Sequence, residues 1–301
     1  MTTGLMTALD RRSNAASRGM SDLAIRNWFI IPTIAFLIVF NVFPLIYSLG
    51  YSFTDFAANR NRPWSFVGLK NYRDLLSDEL IWSNFIITAK YVIVSVAGQM
   101  IVGFGLALLL NRKFPLKGFV TTLLLLPMMM SAAVVGLFWQ LLYSPSWGPI
   151  NYVFGLGDFA WLSNPDAALY AVAITDIWMW SPFVMLLALA GLSAVPQHLY
   201  EAAAIDRASA WYTFTRITLP LVTPLLLIAL IFRTMEAFKT FDIAYTMTTQ
   251  PTAELISIRL YKLAFQQWDT GKSCALAYIV LIMVLAITNI YVKYLNQAKE
   301  R

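Results

Sequence analysis

The sequence predicts an all-α, polytopic membrane protein with about six transmembrane helices, and three observations support this class. Of the 301 residues, 59% are hydrophobic and only 13% are charged, whereas about a quarter of the residues of a soluble domain are charged. The mean hydropathy is +0.64. Six apolar runs reach the length of about 20 residues that a helix needs to cross a bilayer. They leave no room for a large domain outside the membrane.

The first apolar run follows a leader that contains Arg11, Arg12, Arg18 and Arg26. This run is too long for a secretion signal, and no cleavage site of small residues follows it. We therefore divide the chain into a leader at 1–26, a transmembrane domain at 27–296 and a tail at 297–301. Within the domain we predict spans at residues 28–49, 84–110, 118–143, 168–192, 217–241 and 273–294.

The distribution of basic residues orients these spans. The leader, the turn at 111–117 and the tail carry Lys and Arg, whereas the loop at 144–166 contains Asp158 and Asp166 but no basic residue. Basic loops stay on the cytoplasmic side. Both termini and the segment 193–216 are therefore predicted to be cytoplasmic, and the segments 51–83 and 242–272 to lie outside.

Cysteine and histidine are too scarce for redox or metal chemistry. The chain has one of each, Cys274 and His198, so an intrachain disulfide and a metal site built from several such ligands are both excluded. The formal charge of +6 reflects the basic loops of a membrane protein, and we expect no nucleic-acid partner.

Prolines interrupt several predicted spans. Pro127 lies in the third run, Pro182 in the fourth, and Pro220 with Pro224 in the first turns of the fifth. Proline removes a backbone donor and bends a helix, and the freed carbonyl groups need a neighbour or a wet cavity. Bent helices around a cavity suit a translocation path, although such kinks also occur as plain architecture.

Five ionisable residues fall at membrane depth, where facing lipid is costly. Spacing alone lets Glu236 pair with Arg233 or with Lys239 on one helix face. Pairing would explain these charges, and so would a place in a polar pathway. The five residues are Lys90, Asp176, Arg233, Glu236 and Lys239.

The segment 191–224 predicts a short amphipathic helix at about 196–212 on the cytoplasmic surface. Pro196 suits a first helical turn, and small apolar residues alternate with Glu201 and Asp206. The helix lacks the Lys- and Arg-rich face that attracts anionic lipid. Docking into a protein cleft fits it better.

This segment resembles the signature of the inner-membrane permeases of ATP-binding-cassette carbohydrate importers, the maltose-type family. That signature reads E-A-A, three residues, Gly, nine residues, I-x-L-P. Glu201, Ala202 and Ala203 match its first part, and residues 217–220 (ITLP) match its last. Arg207 stands at the family's glycine, so the predicted helix continues or turns differently there. Residues 66–76, 177–203 and 232–248 also look like sugar-permease segments, whereas 249–255 replaces the glycine-rich stretch that often follows in the family.

The resemblance implies a division of labour. The helix with Glu201 as coupling contact, Ala202 and Ala203 as its close-packed face, and Asp206 and Arg207 beside them would dock on a partner ATPase dimer that binds ATP and Mg. The chain itself lacks the phosphate-binding loop, since Gln266 replaces the first glycine before Gly271-Lys272-Ser273. It would not be an enzyme and would hold no cofactor. Further partners would be a second permease subunit, an extracytoplasmic solute-binding protein, a carbohydrate and lipid, in a bacterial cytoplasmic (inner) membrane.

A carbohydrate path needs hydrogen-bonding groups for hydroxyls and aromatic faces for sugar rings. Candidates near the predicted kinks and the outer mouth are Trp139, Gln140, Trp178, Trp180, Glu236, Lys239 and Asp242.

Other functions remain open from the residues alone. An ion-coupled secondary transporter would show inverted internal repeats, which we do not find. A polytopic membrane enzyme would need convergent catalytic groups at one depth, and a scaffold would not need intramembrane charges.

Overall fold

Fourteen α-helices form the described part of the chain. The computed structural model describes residues 22–59 and 63–299, so the predicted leader up to residue 21 and the last two residues of the tail lie outside it. Within these ranges no strand occurs, and Thr54 and Phe66 form an isolated antiparallel bridge. The helices are α1 (Asp22–Leu37), α2 (Phe43–Ser52), α3 (Lys70–Leu76), α4 (Glu79–Leu110), α5 (Lys117–Met129), α6 (Ala132–Leu142), α7 (Pro149–Phe154), α8 (Ala168–Ala194), α9 (Gln197–Ile205), α10 (Ala210–Thr213), α11 (Leu219–Ala237), α12 (Asp242–Met247), α13 (Ile256–Tyr261) and α14 (Thr270–Lys299).

Single π-helical turns join α1 to α2 and α10 to α11. They span Ile38–Val42 and Phe214–Thr218, and a third, Lys262–Gln266, follows α13. With the π turns included, five helices of the described chain are long and apolar enough to cross a membrane. They are Arg26–Ser52, Glu79–Leu110, Ala168–Ala194, Ala210–Ala237 and Thr270–Gln297.

The predicted third span, 118–143, is wrong as one helix, because it is split into α5 and α6, which meet at 99°. Pro127 lies in the last turn of α5, and Met130 and Ser131 then adopt extended backbone with ψ of 154° and 136°. Proline cannot continue the backbone hydrogen-bond ladder. The count of six spans holds if this bent pair is taken as one span.

Pro182 does not interrupt its helix as predicted, since α8 runs unbroken from Ala168 to Ala194. The Ser181 hydroxyl donates to the carbonyl oxygen of Ile177 at 2.6 Å. At the start of α11, Pro220 occupies the first turn, where a missing N–H is tolerated.

The centre of the bundle is the seam between α4 and α8, the most extensive helix pair. Gly103 permits this approach, because a Cβ atom there would lie 2.6 Å from the Ser181 carbonyl oxygen and from Val184 Cβ. Small residues let membrane helices pack backbone to backbone. In the most apolar stretch of α8, 56% of residues are buried, against none in the first span. The remaining helices therefore present wide apolar faces to lipid or to partner subunits.

Candidate functional site

A buried polar cluster joins α4, α8 and α11 at the centre of the bundle. Both Ser95 and Gln99 donate hydrogen bonds to Oδ2 of Asp176, the second at 2.6 Å from Nε2. A guanidinium nitrogen of Arg233 lies 3.6 Å from the same oxygen. The Arg233 Nε–H donates to Gln99 Oε1 at 2.8 Å, and its Cζ lies 4.5 Å from the centre of the Trp180 ring.

This cluster corrects one predicted ion pair. Arg233 pairs with Asp176 on another helix, and not with Glu236 three residues along its own helix. The reason is burial: the Arg233 and Asp176 side chains are only 3% and 1% exposed, and a charge that deep in the bundle requires a charged partner. Asp176 Oδ1 and the Tyr91 hydroxyl are also buried, with no hydrogen-bond partner among the described residues.

A cavity of about 140 Å³ opens beside this cluster. Its walls include Asp176, Trp180 and Arg233 from the cluster, and Glu236, Lys239 and Asp242 from the end of α11 and the start of α12. Lys239 Nζ and Glu236 Oε1 form the other predicted ion pair at 2.6 Å, and both side chains are more than half exposed. The cavity is open to the surroundings on the side of these two exposed side chains.

The predicted path residues separate into three groups. Trp180, Glu236, Lys239 and Asp242 line this cavity together. Gln140 lines a different cavity, of about 430 Å³, beneath the loop 144–163 and beside residues 245–250.

Trp139 and Trp178 line neither cavity. Their rings meet edge to face with centroids 5.6 Å apart, and Trp139 packs against the hydrophobic core. Their position therefore supports a packing role.

Sequence reasoning missed a chain of aromatic rings next to Asp242. Phe241 stacks on Tyr245 at 4.9 Å between centroids, Tyr245 meets Tyr261 at 5.2 Å, and Tyr261 meets Phe265 at 5.2 Å. The hydrogen bond with Tyr245 raises the pKa of Tyr261. The i, i+4 spacing of the aromatics in residues 241–245 and 261–265 was the available signal.

The second candidate site is the short helix α9. Glu201, Ala202, Asp206 and Arg207 are exposed. Ala203 is buried against this chain, so of the two alanines predicted to form a close-packed face only Ala202 is available to a partner. Beside them, Ile205 is 82% exposed and Trp211 is 73% exposed. An acidic residue beside bare apolar side chains is typical of a docking surface.

The helix predicted at about 196–212 turns at Arg207 and does not continue, because α9 ends at Ile205 and α10 begins at Ala210. Arg207 adopts the left-handed conformation with φ of +52°. The Arg207 N–H donates to the Ala204 carbonyl oxygen and the Ala208 N–H to that of Ala203, which is the Schellman helix end that usually carries glycine. Arginine therefore preserves the tight turn of the family signature, at the cost of backbone strain.

No group of three or more His, Cys, Asp or Glu side chains in the described ranges is arranged to hold a metal ion. Lys90, which we expected in a pore or an ion pair, is exposed on α4 and has no ion pair with another described residue.

Known proteins share both this sequence and this fold. Residues 99–301 match the family described as "Binding-protein-dependent transport system inner membrane component". The trehalose/maltose transport system permease protein MalF of Thermococcus litoralis is 36% identical over 272 residues, covering 88% of this chain and 91% of that protein. The sulfoquinovosyl glycerol transport system permease protein SmoG of Agrobacterium fabrum is 33% identical, covering 87% and 86%.

A solved bacterial ABC transporter involved in the import of the acidic polysaccharide alginate has a chain of the same fold. It superposes with a TM-score of 0.78 at 24% identity, covering 90% of this chain and 96% of that chain. The chain therefore belongs to the family of binding-protein-dependent transport system inner membrane components, the permease subunits of ABC transporters.

Proposed function

We propose that this chain forms one half of the translocation path of an ATP-driven carbohydrate importer, beside a second permease subunit. The observation that carries the proposal is the α9 surface, where the exposed Glu201 and Ala202 stand in the spacing of the coupling signature. Ile205 and Trp211, exposed beside Glu201, offer apolar contact area to a partner subunit.

The energy would come from a partner ATPase dimer that binds ATP and Mg. Closure of such a dimer must reach the bundle through a packed element. Helix α9 suits this role because it is tied to the start of the fifth span: the Tyr200 and Thr218 hydroxyls are hydrogen-bonded at 3.1 Å, and Ala203 is buried beneath the helix. A push on Glu201 would thus be transmitted to α11, which carries Arg233 and Glu236.

The substrate is proposed to be a carbohydrate. The relatives named for trehalose, maltose and sulfoquinovosyl glycerol support this class. The cavity beside α11 supports it too, because carboxylate oxygens accept from sugar hydroxyls and Trp180 offers an aromatic face. At about 140 Å³ this half-site has room for a few hydroxyl groups, given about 30 Å³ per water-sized group. The second permease would supply the rest.

The orientation follows from the basic loops. Both termini and α9 would face the cytoplasm of a bacterium, and the segments 51–83, 144–166 and 242–272 would face the solute-binding protein. Trp28 and Trp147 are 72% and 68% exposed near the ends of their segments, as expected of anchors at a lipid interface.

Substitution of Glu201 tests the proposal. We expect Glu201→Ala to insert normally and to lose uptake, since removing a contact of about 1.4 kcal/mol at the centre of an interface weakens docking about tenfold. The measurement is sugar uptake and co-purification of the ATPase from membranes that contain equal amounts of each variant. Asp74→Ala, which removes an exposed acid from the opposite end of the bundle, is the matched control.

Normal uptake by Glu201→Ala would contradict the coupling role. Recovery of the wild-type chain without any ATPase after cross-linking would contradict the importer itself and favour a secondary transporter or an enzyme.

A further inference from the structure

We propose that the cavity beside α11 selects uncharged carbohydrates and rejects acidic ones. This inference deepens the proposed function and rests on it. The sequence alone places Arg233 and Lys239 on this helix, two cations that could attract an anionic sugar. The geometry points the other way, because both cations are already neutralised within the chain.

The charge of Arg233 is already matched within the chain. Its guanidinium lies 3.6 Å from the Asp176 carboxylate, donates from Nε to Gln99 at 2.8 Å and sits 4.5 Å from the centre of the Trp180 ring. Its side chain is only 3% exposed. A carboxylate or sulfonate of a substrate would have to displace Asp176, which would leave that buried acid unpaired.

Lys239 is paired with Glu236, with 2.6 Å between Nζ and Oε1, although both side chains are more than half exposed. The third acid, Asp242, has no ion pair with any described residue. With all five groups ionised, two cations face three carboxylates in the cavity wall. Arg259 and Lys262, on the neighbouring outer segment, do not line this cavity, and Lys262 is paired with Glu254 at 2.5 Å.

What remains free in the cavity is acceptor capacity. The Asp242 carboxylate is exposed, and the Glu236 carboxylate in the same wall is more than half exposed. Such oxygens accept from the hydroxyl groups of a sugar, whereas a negatively charged substrate group meets like charge.

The adjoining rings of Phe241 and Tyr245 are stacked and partly exposed. They offer flat apolar surfaces to sugar rings. The free groups around the cavity thus all favour a neutral, hydroxyl-rich molecule.

The test is uptake by the complete transporter in cells lacking other sugar importers. Cells with and without this chain receive a mixture of neutral sugars (trehalose, maltose and maltotriose) together with a mixture of oligouronates. Mass spectrometry then identifies what accumulates inside. We expect the neutral sugars to accumulate at least tenfold over the oligouronates.

Accumulation of oligouronates to an equal or greater level would overturn the inference and leave the proposed function intact. Accumulation of neither class would contradict the proposed function instead. In either successful case, loss of uptake in Glu201→Ala confirms that the importer itself is being measured.

Reversal of the cavity's charge separates this chain's selectivity from that of the solute-binding protein. We expect Asp242→Lys to raise the ratio of oligouronate to neutral uptake at saturating concentrations at least threefold, and Asp242→Asn to raise it less. Asp158→Lys makes the same charge change in the outer loop, away from the cavity, and should leave the ratio unchanged. An unchanged ratio in Asp242→Lys, or the same rise in Asp158→Lys, would contradict selection by this cavity.

Discussion

Two ion pairs, Arg233–Asp176 and Lys239–Glu236, involve the predicted fifth span but differ in burial. Arg233 and Asp176 are 3.6 Å apart, with side chains 3% and 1% exposed. Lys239 and Glu236 are closer, at 2.6 Å, but 58% and 56% exposed. The fold depends on the longer contact, because breaking this pair would leave a buried charge without solvation by water.

The comparison teaches that burial and neighbours decide the role of a membrane charge, and that spacing along one helix does not. Arg233 faces Gln99 and Trp180 across helix interfaces, so it fixes the position of α11 against α4 and α8. Lys239, six residues further on, faces the open cavity. The first charge therefore belongs to the scaffold, whereas the second is part of an exposed ion pair in the cavity wall.

Removal of the buried Arg233 cation should cause the largest loss of stability. Arg233→Met leaves Asp176 buried without a charged partner, which costs about 3–5 kcal/mol. We expect a large fall in the yield and thermal stability of the purified complex. Lys239→Met is the matched control, and the loss of an exposed pair costs about 1 kcal/mol or less. The measurement is thermal unfolding in detergent at constant protein and lipid concentration.

If Arg233→Met fails to accumulate in the membrane, a double variant tests the same prediction. Arg233→Met combined with Asp176→Leu removes both charges and should recover much of the lost stability, because replacing a whole buried pair by apolar groups is often neutral. Equal destabilisation by Arg233→Met and Lys239→Met would erase the distinction between the two pairs.

A smaller effect should follow from spreading the seam that holds the buried pair. A Cβ at Gly103 would lie 2.6 Å from the Ser181 carbonyl oxygen, so Gly103→Ala must push α8 away from α4. Overpacking of this kind costs about 1–3 kcal/mol. Gly105→Ala, two residues along the same helix, meets nothing within 4 Å and should be neutral or slightly stabilising, since alanine favours helices.

The measurement is the thermal unfolding midpoint of Gly103→Ala compared with that of Gly105→Ala. If Gly103→Ala is as stable as Gly105→Ala, then close backbone approach does not set the position of Asp176 relative to Gln99.

The span count, the membrane class and the family were predictable because each depends on patterns along the chain. Apolar runs of sufficient length and the E-A-A spacing at Glu201 need no tertiary information. The same is true of the Glu236–Lys239 pair, whose partners lie one helical turn apart.

What could not be predicted depends on residues far apart in the sequence. Gln99 and Arg233 are 134 positions apart, and Asp176 lies between them on a third helix. The break between α5 and α6 and the unbroken course of α8 show the same limit: Pro127 and Pro182 are equivalent in sequence, but α8 lies in the most buried part of the bundle, where packing overrides a local preference.

The smallest expected change in stability concerns Arg207, an exposed charge on a strained backbone. Arg207 is exposed like Lys239, but its backbone is left-handed, with φ of +52°, and its side chain forms no ion pair with a described residue. Glycine relieves the strain of about 1–2 kcal/mol that a side chain meets there and loses part of that gain to its greater unfolded-state freedom. We therefore expect Arg207→Gly to stabilise the chain by about 1 kcal/mol or less.

The control is Arg207→Ala, which removes the charge but keeps the strained Cβ and should not increase the stability. Thermal unfolding of both variants separates backbone strain from charge, and loss of ATPase co-purification in both would instead assign the arginine a contact of its own with the partner.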